Sequence, residues 1–237
     1  MDGEVSCTVT SVPLAGSRAA AVSSVSSMQN FGVYAHRTIN EDDYSFYISR
    51  QEVTVNDNGE CSMTIDYEWP DDKSQLQFHA YYPYGSDNIV LPERAGDTFS
   101  FDYQVPGDMV AQEDLMVASS SVFSGDAYTS VPLRFNHICT QVTVRLDDGL
   151  EDFAIQSVSF VGVKYKGTYD YTDGWTLDNS GTTMRGAAAD AADGAFTFMM
   201  LPQTTPANAE LRVTIHNHIS GTDQTYFMRL GQEWLQG

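Results

Sequence analysis

An all-β fold of sandwich type is predicted for this chain of 237 residues by three features. Apolar and polar residues alternate at period two from end to end, the mark of strands buried on one face. Gly, Asn and Asp clusters that favour tight turns separate the alternating runs. Helical spacing is sustained nowhere. Many short strands divided by such turns build antiparallel sandwiches.

Val5, Cys7 and Val9 share one face of a first strand, and a Ser/Ala-rich stretch follows it. Phe31–Ala35 is the next strand. Asn58-Gly59 lies between two alternating runs and predicts a hairpin through a type I′ turn, whose positive φ values Asn and Gly tolerate. Met63–Trp69 continues from that turn. Leu76, Phe78, Ala80 and Tyr82 alternate with Gln75, Gln77, His79 and Tyr81, which places Tyr82 inward and Tyr81 outward. Phe99, Phe101, Tyr103 and Val105 alternate in the same way. Val131–Phe135, Val142–Leu146, Ala195–Leu201, Leu211–Ile215 and, less regularly, Thr225–Leu230 complete the set. Asp148-Gly149, Asp173-Gly174, Asn179-Ser180-Gly181 and Asp193-Gly194 mark turns, and the Ala-rich piece Gly186–Ala192 is short enough to read as a loop.

Asp and Glu number 32 against 12 Lys and Arg, for a formal net charge of -20. Nucleic acid and anionic membrane surfaces bind through Lys and Arg, so neither is an expected partner. With 42% hydrophobic, 12% aromatic and 19% charged residues the chain has the means to bury a core. No stretch approaches the roughly 20 continuous apolar residues of a membrane-spanning helix. Met1-Asp2-Gly3-Glu4 has neither a basic start nor an apolar run, so an exported form is expected to carry a signal sequence in place of Met1. Cys7, Cys61 and Cys139 do not make the dense, even pattern of a disulfide-stapled domain. They read as small apolar residues, Cys7 in phase with Val5 and Val9, and Cys61 with Met63 and Ile65.

A short break at Asn136–Cys139 divides Val131–Phe135 from Thr140–Leu146. Spacing alone leaves open a tight turn within one sheet or a crossing between two sandwiches. The residues around the break form a longer pattern. Asp114-Leu115-Met116-Val117-Ala118, followed by Val131-x-Leu133-x-Phe135-x-His137-Ile138-Cys139-x-x-Val142-x-Val144-x-Leu146, resembles the fimbrillin-like proteins of Gram-negative gut and oral anaerobes. Phe31-Gly32-Val33-Tyr34-Ala35, Phe78-His79-Ala80-Tyr81-Tyr82-Pro83-Tyr84 and Met200-Leu201-Pro202-Gln203 stand in the family's order, while Cys139 departs from its usual Ser or Ala.

The resemblance implies two tandem transthyretin-like antiparallel β-sandwich domains, 1–137 and 138–237, the second lacking its last strand. It implies a non-enzymatic fimbrial (pilus) subunit or surface lipoprotein, located at the outer membrane or in the fimbrium, that supports adhesion and needs no cofactor. Its partners would be other fimbrial subunits joined by β-strand exchange, and host or bacterial surface glycan or protein. Ser17-Arg18-Ala19 resembles the family's processing segment. Cleavage between Arg18 and Ala19 would free the first strand and open the groove that Val5, Cys7 and Val9 had filled. The alternative is a monomeric surface lipoprotein that binds glycan or host protein without polymerising, with Arg18 a solvated loop residue.

Other chemistries are weaker. Glu41-Asp42-Asp43, Asp71-Asp72 and Glu151-Asp152 supply carboxylates of the kind glycosidases use, but in so acidic a chain such pairs arise by chance, and turns account for them. His216 and His218 lie two apart on a strand and are able to face one Zn²⁺, yet no third or fourth ligand can be named, and no metal site is expected. Asp170–Gly174 and Asp190–Gly194 lack the spacing of a calcium loop. Tyr81, Tyr82 and Tyr84 with Trp69 and Trp175 have the make-up of a sugar-stacking platform. Core packing is the expectation for them, with Tyr81 and Tyr84 left as surface contacts. His137 is expected to hydrogen-bond backbone where the two halves meet.

Overall fold

The computed structural model describes residues 6–11, 28–40, 43–56, 58, 60–72, 74–96, 98–124, 130–146 and 150–236. In chain order the strands are β1 (Ser6–Ser11), β2 (Asn30–Asn40), β3 (Asp43–Val55), β4 (Cys61–Met63), β5 (Gln75–Tyr82), β6 (Ile89–Val90), β7 (Ser100–Gln104), β8 (Met116–Ser119), β9 (Phe123–Ser124) and β10 (Ser130–His137). The second half supplies β11 (Thr140–Val144), β12 (Phe153–Lys164), β13 (Lys166–Asp170), β14 (Gly174–Leu177), β15 (Gly181–Ala187), β16 (Phe196–Met200), β17 (Gln203–Thr204), β18 (Glu210–Asn217), β19 (Thr222–Arg229) and β20 (Glu233–Trp234). Among the described residues the helical segments are two single 3-10 turns, Met109–Ala111 and Ala188–Asp190. The fold is all-β, as the alternation predicts.

The largest sheet runs in the order β1-β10-β8-β5-β2-β3-β4, with β9 beside β5. Its two ends, β1 and β4, lie against each other, so the sheet curls around its own apolar face. That face buries Phe31, Val33 and Ala35 of β2, Leu76, Phe78 and Ala80 of β5, Met116 and Ala118 of β8, and Val131, Leu133 and Phe135 of β10. Phe31 meets Phe135 edge to face at 5.1 Å, and Trp69 closes over Phe78 and Phe123. Each Val, Leu, Met and Phe side chain among them contributes about 1.5–3 kcal/mol on leaving water.

The other face of the same strands is covered as well. A second sheet, β14-β13-β7-β6, draws two strands from before residue 137 and two from after it. β7 and β13 pair from Ser100↔Asp170 to Gln104↔Lys166. Phe99, at the head of β7, stacks flat on His79 at 4.7 Å, and Tyr171 stands edge-on to both rings while its hydroxyl donates to the Ala80 carbonyl at 2.7 Å. Tyr81, predicted to point outward, is therefore buried at 1% exposure, and Tyr34 beside it at 2%. A half-buried strand was the wrong premise for β5, because its polar-looking face meets this second sheet. Gly32 is the complement: the Tyr81 ring lies where a Cβ would stand.

The third layer is the sheet β15-β12-β18-β19, which packs on the pair β11-β16. Phe160 meets Phe198 edge to face at 5.0 Å and Trp234 at 5.6 Å, while Val158, Val163, Met184 and Phe196 fill the space around them. Gln203 acts as a strand partner with its side chain. Its Oε1 accepts from the Lys164 N–H at 2.9 Å and its Nε2 donates to the Lys164 carbonyl at 3.0 Å.

Two long strands, β3 and β12, escape the period-two reading for one reason. β12 shifts register between Ile155 and Ser157 against β18, and between Val161 and Val163 against β15, with Gly162 at φ 73° in the second bulge. Each extra residue flips the parity of the strand beyond it, so buried Ile155, Val158, Phe160 and Val163 fall out of phase. β3 meets β2 across similar irregularities and holds Arg50 at φ 49°. Elsewhere a predicted strand is shorter: β4 stops at Met63, and Ile65 is exposed. The hairpin before it closes at Val55↔Cys61, so its loop is longer than a two-residue turn. Asn56 organises that loop, its Oδ1 accepting from the N–H of Asn58 at 3.0 Å and of Glu60 at 2.9 Å. Gly59 lies outside the described residues.

Candidate functional site

β1 lies parallel to β10, whereas the other pairings of its sheet are antiparallel. β10 alternates cleanly, burying Val131, Leu133, Phe135 and His137 and exposing Ser130, Pro132, Arg134 and Asn136. The register sets Cys7 opposite Val131 and Val9 opposite Leu133. On its other side β10 meets β8 only through Asn136↔Val117 and His137↔Met116. Among the described residues, then, positions 131–135 have β1 as their one strand partner. Pro132, which has no N–H to give, is tolerated so close to an edge. Taking β1 away would leave a bare backbone edge above a row of buried apolar side chains, which is the geometry that accepts an added strand. Val5, Arg18 and Ala19 lie outside the described residues.

The pattern around residues 114–139 is a hinge built from hydrogen bonds. His137 Nδ1 lies 2.8 Å from Asp114 Oδ1, with both side chains 3% exposed. The first acidic residue of the pattern thus holds its histidine, and the expected backbone acceptor gives way to a carboxylate. The Ile138 N–H donates to the Leu115 carbonyl at 3.0 Å, and Trp175 Nε1 donates to the Ile138 carbonyl at 2.7 Å. Gln236 Nε2 donates to the His137 carbonyl at 3.3 Å, and Thr140 Oγ1 to the Leu235 carbonyl at 2.6 Å. Cys139 is buried beside this hinge, and burial pushes its thiol up to about 12, far from a reactive thiolate.

A family model described as fimbrillin-like matches residues 17–237. The chain belongs to the fimbrillin-like family. No curated protein matches it in sequence. Its fold is similar to that of a fimbrial protein from Bacteroides vulgatus ATCC 8482, at 14% identity and a TM-score of 0.62, over 98% of this chain and 90% of that one. A candidate cell-adhesion protein from Bacteroides uniformis ATCC 8492 is similar at 20% identity and a TM-score of 0.63, over 99% of this chain and 89% of the other. A third, from Bacteroides ovatus ATCC 8483, gives 16% and 0.59, over 100% and 89%.

The remaining candidate groups of this fimbrillin-like chain do not converge. Asp170 Oδ1 accepts from the N–H groups of Thr172 and Asp173, and Asp193 and Gly194 have positive φ, so both acidic loops are turns. Asp72 is engaged by Arg37 and by the Ser74 N–H. Glu151 and Asp152 are exposed, and Glu41 and Asp42 lie outside the described residues. The rings of His216 and His218 stand 5.1 Å apart, but His216 Nδ1 lies 2.6 Å from Asp223 on β19, and among the described residues no three metal-binding side chains cluster. The aromatic platform is dispersed: Trp69 and Tyr81 are core, Trp175 is tied to the hinge, and Tyr82 and Tyr84 are half-buried. Cys61 is half-buried at the rim of the first core, and nothing of the Cys7 side chain is described. No described helix is long and apolar enough to cross a membrane.

Proposed function

We propose that this protein is a non-enzymatic subunit or associated lipoprotein of bacterial surface fimbriae, acting in adhesion, and that β1 is a displaceable strand whose seat on β10 receives an extended segment of another subunit. The observation that carries the reading is that, among the described residues, 131–135 have β1 as their one strand partner, over the buried row Val131, Leu133 and Phe135. A parallel edge strand joined to the rest by one long connection can leave without unthreading the core. Arg18 and Ala19 fall in that connection, between Ser11 and Asn30. Family membership supports the surface location, as do the fimbrial and adhesion descriptions of the structural relatives. On this reading 1–137 and 138–237 are two sandwich units of transthyretin type that meet through the shared sheet β14-β13-β7-β6.

Limited digestion with an arginine-specific protease tests this, followed by mass spectrometry, gel filtration and electron microscopy. Cleavage first at Arg18, loss of the 1–18 fragment and growth of higher oligomers from a folded core are expected. A clipped core that stays monomeric would favour a surface protein that binds its target without polymerising. A core that unfolds would show that β1 is a permanent part of the fold.

A further inference from the structure

β19 is the outer strand of the sheet β15-β12-β18-β19, and every one of its eight residues is exposed. Three consecutive large side chains are bare on it: Tyr226 at 49%, Phe227 at 65% and Met228 at 55% exposure. Proteins blunt such edges with Pro, Lys or a bulge. β19 has no Pro, Lys or bulge, its charges are one acid and one base, Asp223 and Arg229, and its register with β18 runs unbroken from Asn217↔Thr222 to Glu210↔Arg229.

We infer that β19 pairs with the β19 of a second copy, antiparallel about a two-fold axis at Tyr226, so that the two four-stranded sheets become one. Backbone parity fixes the choice of register. The Leu230 N–H donates to the Ala209 carbonyl, and the His218 N–H donates away from β19, to the Asp152 carbonyl on the side of β12. Even-numbered residues of β19 therefore turn their N–H and C=O groups toward β18, and Asp223, Thr225, Phe227 and Arg229 turn theirs to the open edge. A two-fold antiparallel ladder must set outward residues against outward residues. Of the registers this allows, the one centred on Tyr226 engages all four, with Asp223 opposite Arg229 and Thr225 opposite Phe227 of the other copy.

Charge argues for the same partner and the same register. The strand is self-complementary, with its one acid near the start and its one base at the end, so reversal brings unlike charges together twice. Asp223 already faces His216 Nδ1 at 2.6 Å, and Arg229 Nη1 donates to the Asn208 carbonyl at 3.0 Å, which holds both side chains at the edge with donors and acceptors to spare. Arg212 lies over the Phe227 ring at 5.6 Å on one face, and on the other Tyr226 would meet its own copy as a cross-strand aromatic pair. This is association side by side, independent of strand exchange at β1.

Sedimentation of the intact chain against concentration, with a cysteine placed on the axis, tests the inference. The wild type should reach twice 26.2 kDa. Arg229→Glu should weaken the dimer at least about tenfold, and the exchange Asp223→Arg with Arg229→Asp should restore it. Tyr226→Cys should form a disulfide dimer under mild oxidation, because facing residues at a non-hydrogen-bonded site bring their Cα atoms within about 4.5 Å. Gln224→Cys should not, since its copy lies four residues away, about 13 Å along the strand. The native cysteines are common to both variants and set the background. A wild type that stays monomeric up to near-millimolar concentration overturns the inference. So does a dimer indifferent to the charge exchange, or one in which Gln224→Cys crosslinks as readily as Tyr226→Cys.

Discussion

β1 and β19 are both outer strands, and they are built in opposite ways. β1 lies along β10 above Val131, Leu133 and Phe135, none of them more than 1% exposed. β19 lies along β18 with no buried residue of its own. The ladders differ in direction, parallel for β1 and antiparallel for β19, but both run in unbroken register, and the larger difference is burial. Removing the partner of β10 opens a core and demands a replacement strand. Adding a partner to β19 closes an edge that the monomer already tolerates. As proposed above, one edge would serve exchange and the other addition.

That contrast can be broken deliberately, beginning with the largest effect. Phe135→Ala removes a fully buried ring packed on Phe31 and should cost about 3–5 kcal/mol, read as a lowered midpoint in urea. Asp114→Ala should cost about 1–3 kcal/mol by leaving the buried His137 Nδ1 without its hydrogen-bond partner, and a cycle with His137→Leu should recover part of that loss. Acid should act through His79. Burial first, and then the charge of His36, hold its imidazole down at about 4 against a usual 6.5. The folded state keeps it neutral, so its contribution is complete above about pH 6.5 and is lost as pH falls toward about 4. At pH 5 the loss should be about 2 kcal/mol, and His79→Phe should flatten most of that slope in denaturation curves. At the other edge Phe227→Ala should change monomer stability by less than about 0.5 kcal/mol while weakening self-association.

The fold was legible in the sequence wherever period two holds. β10, whose burial alternates without a break, was legible over Val131–Phe135 and extends to Ser130–His137, and the first strand was legible in place, as Ser6–Ser11. β12 was not, because two bulges shift its parity. Tyr81 and His79 were misplaced because alternation reports one buried face, and β5 has two. The hinge was visible as a pattern from Asp114 to Leu146, but no local rule announces that Asp114 and His137, 23 positions apart, share a hydrogen bond. β19 gave a weak signal for a physical reason: with both faces exposed, nothing selects an apolar phase.

The exchangeability of β1 is tested most directly by hydrogen exchange over Ser130–Phe135 in three samples: the intact chain, the chain clipped at Arg18 with residues 1–18 removed, and the clipped chain with a synthetic 1–18 peptide returned. Protection is expected in the first, lost in the second and regained in the third, while β12 and β18 stay protected throughout. Protection that survives removal of 1–18, or that collapses across the whole molecule with it, would contradict a seat built for a replaceable strand.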